Sequence, residues 1–299
     1  DVLGSRGLGD VYKRQGMKKR VTIQGVNGCY HDAAARAYFQ GEDIEVIPCD
    51  TFGGMFELLK YDASLIGIVA IENTIAGSLL QNHELIRQNS HRIVGEYKMR
   101  ISHVLAAMPG QTIDELYEVN SHPMALMQCE QYLLNHPNLK MVEKSDTAGS
   151  AQEIAEKKLM GHAAICGKFA AELYGLNILA EGIETNKRNF TRFLILADPV
   201  REKELTEGKN INKASVVFTL PHTQGSLAKI LTILSFYDIN LSKIQSLPII
   251  GREWEYRFYV NLTFSDYHRY RQSIDAVRPL ISDLRILGEY MEFDAYGNK

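Results

Sequence analysis

A basic, turn-like segment followed by a short apolar run has the residue types best suited to chemistry. The stretch N-K-R-N-F-T-R-F-L-I-L spans residues 186–196, and its apolar end, Phe193 to Leu196, predicts a buried strand. Thr191 and Arg192 lie where this strand begins, so a hydroxyl and a guanidinium can be held rigidly beside a cleft. The alternative is a strand that merely begins with polar residues, without a functional site. A functional role for Thr191 and Arg192 therefore depends on finding other clusters of this kind.

Glu72 and Asn73 form a second cluster at the end of an apolar run. Residues 65–71 are continuously apolar, which predicts a strand buried on both faces, and polarity returns abruptly at Glu72-Asn73-Thr74. Open α/β sheets bind ligands beyond the carboxyl ends of their strands, so these side chains are candidates for a substrate site. The alternative role for Asn73 and Thr74 is to turn the chain and cap the next helix.

Ser121 and Gln128 belong to a third cluster, S-H-P-M-A-L-M-Q-C. It predicts a helix with Ser121 as its N-cap and Pro123 in its first turn, and the seven-residue spacing puts Ser121 and Gln128 on one face. A helix N-terminus offers free N–H groups and partial positive charge to a carboxylate. An ordinary cap and a solvated side chain are the alternatives. A fourth cluster, K-S-D-T-A, contains Thr147 at another predicted helix start.

Composition argues against several classes of function. The 299 residues carry a net charge of −3, which does not favour nucleic acid or an anionic membrane as partner. The four cysteines form no C-x-x-C pair and the nine histidines no H-x-x-x-H pattern, so we expect neither disulfides nor a metal. No glycine-rich nucleotide loop is present, so we expect no cofactor. No apolar run approaches the roughly 18 residues that span a bilayer, and the expected location is cytoplasmic.

The order of predicted elements divides the chain into four parts. Residues 1–16 are expected to be an appended or disordered leader, because they lack the apolar segment of a signal peptide and Met17 precedes the first strand. Residues 17–198 alternate short apolar runs with helical periodicity, which is typical of an α/β domain. Residues 199–212 are charged and poor in apolar groups, which indicates a linker. Residues 213–299 follow a β-α-β-β-α-β order, which predicts a ferredoxin-like domain.

Taken together, the clusters resemble the prephenate dehydratase family. Their order is E-N-T with a following G-S, then S-H-P-x-A-L-x-Q-C, D-T-A, A-A-I and N-F-T-R-F, and the similarity spans residues 20–198. The resemblance implies a carbon-oxygen lyase of L-phenylalanine biosynthesis that converts prephenate to phenylpyruvate, water and carbon dioxide without a cofactor. It also implies a catalytic domain of two α/β lobes around a cleft, like type II periplasmic binding proteins.

The same resemblance implies roles for individual residues. Thr191 and Glu72 would be catalytic. The residues expected at the substrate are Asn73, Ser121, Gln128, Thr147 and Arg192. Cys29 and His31 depart from the family pattern, which has hydroxyl residues on either side of an aromatic residue, here Tyr30.

The C-terminal unit resembles an ACT domain, a small-molecule sensor. The phenylalanine-binding segments of such domains read G-A-L and E-S-R-P, and two charged positions of the second segment are neutral in this chain. The corresponding residues are Gly225, Ser226, Leu227, Gln245, Ser246 and Leu247. We expect L-phenylalanine to bind here and regulate activity, in a homodimer or homotetramer whose C-terminal domains pair side by side. An ACT fold kept only for dimerisation is the alternative.

Two other functions fit the same residues. Arogenate carries an amino group where prephenate has its side-chain keto oxygen, and inspection of the sequence does not separate these substrates. A non-catalytic, two-lobed amino-acid sensor would keep the cleft, but it has no reason to place Thr191 and Asn73 together. Turnover of prephenate and arogenate, each with and without phenylalanine, distinguishes these functions.

Overall fold

The N-terminal two-thirds of the protein is built on two β-sheets. The computed structural model describes residues 18–293. The strands of the first sheet are β1 (Lys19–Gln24), β2 (Ile44–Cys49), β3 (Ile66–Asn73), β4 (Gly77–Ser78), β5 (Arg92–Arg100) and β11 (Phe190–Ala197). The strands of the second sheet are β6 (Val104–Ala107), β7 (Glu118–Ser121), β8 (Lys140–Glu143), β9 (His162–Cys166) and β10 (Asn177–Glu181). Their orders are β2-β1-β3-β11-β5, with β4 beside β3, and β10-β6-β9-β7-β8.

Helices complete each sheet into a mixed α/β lobe. The helices of the first lobe are α1 (Tyr30–Tyr38), α2 (Phe52–Tyr61) and α3 (Leu80–Gln88). Those of the second lobe are α4 (Pro123–Gln128), α5 (Glu130–Leu134), α6 (Thr147–Lys157) and α7 (Lys168–Leu173). Local sequence explains the start of α2, where the Thr51 hydroxyl accepts from the N–H of Gly54, 3.0 Å away. Met55, Phe56 and Leu59 then turn one buried face of the helix toward the core.

The antiparallel pairing of β3 and β11 positions the polar residues at their ends. Thr191 lies opposite Asn73 and Arg192 lies opposite Glu72. Successive side chains of a strand point to opposite faces of the sheet. Asn73 and Thr191 therefore share one face, and Glu72 and Arg192 share the other.

The predicted linker contains a helix, α8 (Pro199–Thr206), which corrects the description of residues 199–212 as linker alone. Asp198 caps it by accepting from the N–H of Val200 at 2.9 Å, and proline in the first turn fits a helix start. Arg201 donates to the carbonyl of Ser64 at 2.6 Å, so the helix is held against the first lobe.

The C-terminal domain has the predicted β-α-β-β-α-β order. Its elements are β12 (Lys213–Thr219), α9 (Ser226–Phe236), β13 (Asn240–Pro248), β14 (Tyr256–Thr263), α10 (Tyr267–Val277) and β15 (Ser282–Tyr290). The strand order β13-β14-β12-β15 places β13 at one edge of the sheet. Ile230, Leu234 and Ile274 of the two helices join the core on one face.

The other face of this sheet packs directly on the first lobe. Tyr259 and Leu287 belong to one buried cluster with Ile71 of β3 and Leu194 of β11. Gly288 shows how close this contact is. A Cβ atom at this position would lie 2.1 Å from the carbonyl oxygen of Ile93, so the packing requires glycine. The C-terminal domain therefore covers the face of β3 and β11 that carries Glu72 and Arg192.

The predicted leader, residues 1–16, lies outside the described residues. Between residues 18 and 293 no helix is both long and apolar enough to cross a bilayer.

Candidate functional site

A cavity of about 450 Å³ is lined by residues of both lobes. Four of the residues predicted at the site line it: Asn73, Gln128, Thr147 and Thr191. A larger cavity of about 610 Å³ lies elsewhere, around Tyr38, Glu96 and Phe293, and none of the predicted site residues lines it. We therefore take the cavity between the lobes as the candidate site.

The side chain of Asn73 is fixed in one orientation. Its carbonyl oxygen accepts from the N–H groups of Ile75 and Ala76, both at 2.9 Å. Its amide nitrogen consequently faces Thr191 and Asn189, and it donates to the hydroxyl oxygen of Thr191 at 3.0 Å and to Oδ1 of Asn189 at 2.8 Å. Because the hydroxyl oxygen of Thr191 accepts this bond, the hydroxyl proton is left to serve another acceptor.

Gln128 is oriented by a second chain of hydrogen bonds. Its Oε1 accepts from the amide of Asn189 at 2.9 Å and lies 2.9 Å from Nε2 of His103. Burial lowers the pKa of His103 and keeps the ring neutral. With its hydrogen on Nε2, Nδ1 lies 2.7 Å from the hydroxyl of Tyr30, which is also 2.9 Å from the carbonyl oxygen of Ser102, so these two acceptors share the Tyr30 proton. Both donors occupy the carbonyl oxygen of Gln128, so its amide nitrogen is the group left for a ligand.

Thr147 lies at the N-terminus of α6, and Asp146 caps this helix by accepting from the N–H of Gly149 at 2.7 Å. Both side chains line the cavity. Burial raises the pKa of Asp146 above its ordinary value. The first turn of α6 adds partial positive charge to this wall.

Tyr30, Cys29 and His31 form part of the first-lobe wall. Nε2 of His31 accepts from the N–H of Ala70 at 3.2 Å, and burial lowers the pKa of His31 to about 4. The ring packs edge-on against Phe193, with 5.2 Å between centroids. Burial raises the pKa of Cys29 to about 12, so it is a thiol rather than a thiolate. This wall is neutral and largely aromatic.

Ser121 does not line the cavity. It ends β7, and its hydroxyl donates to the carbonyl of Ile165 at 2.6 Å inside the second lobe. The N-cap of α4 is His122, whose Nδ1 accepts from the N–H of Met124 at 3.1 Å. Ser121 is the last residue of a strand and not the predicted helix N-cap, so Ser121 and Gln128 do not share a helical face.

Glu72 and Arg192 also lie away from the cavity, although both were expected beside the substrate. The guanidinium of Arg192 lies 2.6 Å from the carboxylate of Glu96, 3.1 Å from that of Glu72 and 3.0 Å from the hydroxyl of Tyr290. The alternation along β3 and β11 directs both side chains toward the C-terminal domain. Their charges belong to the contact between the domains.

The cavity therefore has an unusual charge distribution. Among the described residues that line it, none is Lys or Arg, and Asp146 is the one carboxylate. An anionic ligand would be held by neutral donors and by the N-termini of α1 and α6. Across residues 18–293 no group of three His, Cys, Asp or Glu is placed to hold a metal ion.

Sequence reasoning did not single out His103 or Asn189. Asn189 lies within the N-F-T-R-F motif, so the signal was present in its neighbours. His103 stands in no recognisable motif, and only the fold brings it to Gln128 and Tyr30.

Comparison with known proteins gives a consistent family. The sequence profile described as Prephenate dehydratase matches residues 21–201. Arogenate dehydratase/prephenate dehydratase 2 of Arabidopsis thaliana, named as chloroplastic, is 35% identical over 287 residues, covering 92% of this chain and 73% of the relative. Arogenate dehydratase 1 of Petunia hybrida is 37% identical over 292 residues, covering 92% and 67%.

Solved structures agree with the fold. Prephenate dehydratase from Arthrobacter aurescens in complex with L-Phe superposes with a TM-score of 0.80 at 28% identity, covering 91% of this chain and 89% of the other. GqqA, described as a novel type of quorum quenching acylase, gives a TM-score of 0.81 at 26% identity, covering 92% and 98%.

Proposed function

The chain belongs to the prephenate dehydratase family, and we propose that it catalyses the decarboxylating dehydration of prephenate to phenylpyruvate. The family is an enzyme family of aromatic amino-acid biosynthesis. The observation that carries the proposal is the pair of Asn73 and Thr191, whose hydrogen bond leaves a hydroxyl proton to act in the cavity.

The reaction needs a donor at the leaving oxygen rather than a strong nucleophile. The bond to the ring carboxylate breaks and releases carbon dioxide, its electron pair moves through the ring, and the C4–oxygen bond breaks as the ring becomes aromatic. The departing hydroxide requires a proton to leave as water. Thr191 donates a hydrogen bond to that oxygen, or relays a proton to it, because an unperturbed threonine hydroxyl is too weak an acid to ionise.

The surroundings of the ring carboxylate assist its loss. Phe193 lines the cavity, whereas Phe190 does not and is 41% exposed. A carboxylate held against an aromatic wall loses part of its hydration, which favours the uncharged product carbon dioxide. Phe193 is therefore the aromatic residue that we assign to this role.

A second candidate substrate, arogenate, is favoured by Asp146. A carboxylate in a cavity whose described lining includes no Lys or Arg complements an ammonium group better than a keto oxygen. The relatives from Arabidopsis and Petunia are named as arogenate dehydratases, one of them also as a prephenate dehydratase. We propose that the chain accepts both substrates and that Asp146 faces the side-chain nitrogen of arogenate.

The contacts of Thr191 do not favour an acylase. Acyl transfer by a hydroxyl requires a base that accepts its proton. The neighbour of Thr191 is the amide nitrogen of Asn73, which donates a hydrogen bond and accepts no proton. This arrangement fits a hydrogen-bond donor in a lyase.

Direct assay tests the proposal. Purified protein is incubated with prephenate or arogenate, and phenylpyruvate or phenylalanine formation is followed, with and without EDTA. We expect turnover that EDTA leaves unchanged. No turnover of either substrate, together with heat of binding for an amino acid, would instead establish the non-catalytic sensor.

Regulation by phenylalanine is a further part of the proposal. Gly225 precedes α9 with a φ of 77°, so it opens the helix N-terminus to a carboxylate, and β13 offers a sheet edge for pairing with a second copy. Titrating phenylalanine while following activity and heat tests this. An ACT assignment, a homodimer or homotetramer and a cytoplasmic location stay predictions from the sequence.

A further inference from the structure

Lys243 extends from the C-terminal domain to the strand that carries Asn73. Its ammonium donates to the carboxylate of Glu72 and lies 2.8 Å from the hydroxyl oxygen of Ser78. The side chain of Lys243 is only 10% exposed. Glu72 immediately precedes Asn73, and Ser78 lines the cavity. One side chain of the C-terminal domain therefore contacts both strands of a hairpin at the candidate site.

This hairpin determines where the Asn73 amide lies. β3 and β4 pair with Glu72 opposite Ser78, directly beside Asn73 opposite Gly77. The turn between them supplies the two N–H groups that hold the carbonyl oxygen of Asn73. Lys243 binds the base of the hairpin at Glu72 and Ser78, so its loss would loosen β4 and the turn, whereas β3 stays paired with β1 and β11.

The contact between Lys243 and Glu72 is an ion pair. Burial acts to raise the pKa of Glu72, but the hydrogen bond from Lys243 and the charge of Arg192 outweigh it and hold the pKa below its ordinary value. Glu72 is thus ionised between two cations, and Arg192 directly follows Thr191. Replacing Lys243 with a neutral residue would leave Arg192 as the one cation of this trio that still pairs with Glu72.

We propose that Lys243 is a positioning residue for the dehydration, through which the C-terminal domain sets the geometry of Asn73 against Thr191. The inference rests on the proposed function. Misplacement of a catalytic group by about 1 Å can cost roughly 10² in rate. Gln245 and Leu247 lie on the same strand, so a ligand bound at the predicted effector segments would act on the strand that holds this contact.

The first test compares Lys243→Gln with Arg285→Gln. Arg285 donates to the carbonyls of Arg87 and Asn89, so it also joins the two domains, but away from the hairpin. We expect Lys243→Gln to lower kcat by about 10- to 100-fold while KM changes less than about threefold. Arg285→Gln should lower the melting temperature and keep kcat.

Two further variants separate positioning from general stability. Lys243→Arg keeps a charge and donors, so it should recover most of kcat. Glu72→Gln combined with Lys243→Gln should lower kcat by less than the product of the two single effects, because both changes break the contact between Lys243 and Glu72, although Glu72→Gln also weakens the pair with Arg192. A kcat of Lys243→Gln equal to wild type, or lowered no more than that of Arg285→Gln, overturns the inference.

Hydrogen exchange gives a readout that does not need turnover. The backbone amides of Ile75 and Ala76 should exchange faster in Lys243→Gln than in the wild-type protein. In Arg285→Gln their exchange rates should equal those of the wild-type protein. Equal exchange in both variants overturns the inference even if the wild-type protein turns over neither substrate. Absence of wild-type turnover contradicts the proposed function alone, so the two failures are distinguishable.

Discussion

The amide nitrogen of Asn73 lies 3.0 Å from the hydroxyl oxygen of Thr191, although 118 residues separate them in the chain. Antiparallel pairing of β3 and β11 sets these residues opposite each other. Main-chain N–H groups hold the carbonyl oxygen of Asn73, so the bond has one direction: the amide donates and the hydroxyl accepts. The geometry thereby presents Thr191 to the cavity as a donor.

Thr191→Ala should lower kcat far more than it changes KM. Loss of one well-placed transition-state donor costs about 10²–10³ in rate, whereas ground-state binding loses little. Steady-state kinetics on the better of the two substrates measures this. Thr206→Ala, which removes a hydroxyl bonded to Glu202 on α8, is the matched control and should keep kcat. Near-wild-type turnover in Thr191→Ala would remove this hydroxyl from the mechanism.

Asn73→Ala should lower kcat and raise KM together, because an orienting amide contacts both the ground state and the transition state. Asn73→Asp refines the test, since its carboxylate still accepts from the N–H groups of Ile75 and Ala76 but no longer donates to Thr191. If Asn73→Asp is as impaired as Asn73→Ala, the donated bonds matter. Full activity in Asn73→Asp would show that only the turn matters.

The sequence predicted which strand ends carry the site but not which face of the sheet each residue takes. Both faces of β3 and β11 are covered by apolar contacts, so the hydrophobic pattern is continuous and carries no information on direction. Glu72 and Arg192 were therefore grouped with Asn73 and Thr191. Alternation along the strands separates the two pairs, and the position of the C-terminal domain on one face decides which pair faces the cavity.

The helix starts show a similar limit. Asp198-Pro199 is a good start signal, yet the charge of residues 199–212 outweighed it in the sequence interpretation. Ser121 and His122 can each begin a helix, and the pairing of Ser121 opposite Glu143 in the second sheet decides between them. Strand pairing of this kind depends on residues distant in the chain, so the local amino-acid sequence does not predict it.

Asp146→Asn should shift preference from arogenate toward prephenate. Asparagine keeps an oxygen to cap α6 but removes the negative charge facing the cavity. We expect the ratio of kcat/KM for arogenate to that for prephenate to fall by about tenfold, which corresponds to loss of one ion pair of about 1.4 kcal/mol. Asp266→Asn, at the cap of α10, is the control. An unchanged ratio would contradict the assignment of Asp146 to the substrate nitrogen.

Stability should fall as the pH falls from about 6.5 to about 4. Burial lowers the pKa of both His31 and His83 to about 4, so the folded chain keeps them neutral while the unfolded chain binds protons in this range. Urea unfolding at a series of pH values measures the slope. His83→Gln should flatten it, and His268→Gln, an exposed position on α10, should leave it unchanged. Equal slopes in all three proteins would exclude His83 as a cause.

Gln245→Glu should strengthen phenylalanine binding to the C-terminal domain. The change places a carboxylate in the segment where we predict that phenylalanine binds, and this carboxylate can pair with the amino group of the ligand. Leu247 is the second neutral position of this segment. It is buried between the domains in a cluster with Tyr259, so a charged residue is less easily introduced there. For a half-buried pair we expect a gain of about 2- to 5-fold in affinity, measured by calorimetry. Gln272→Glu on α10 adds the same charge elsewhere, and if both variants bind phenylalanine equally, Gln245 does not contact the ligand.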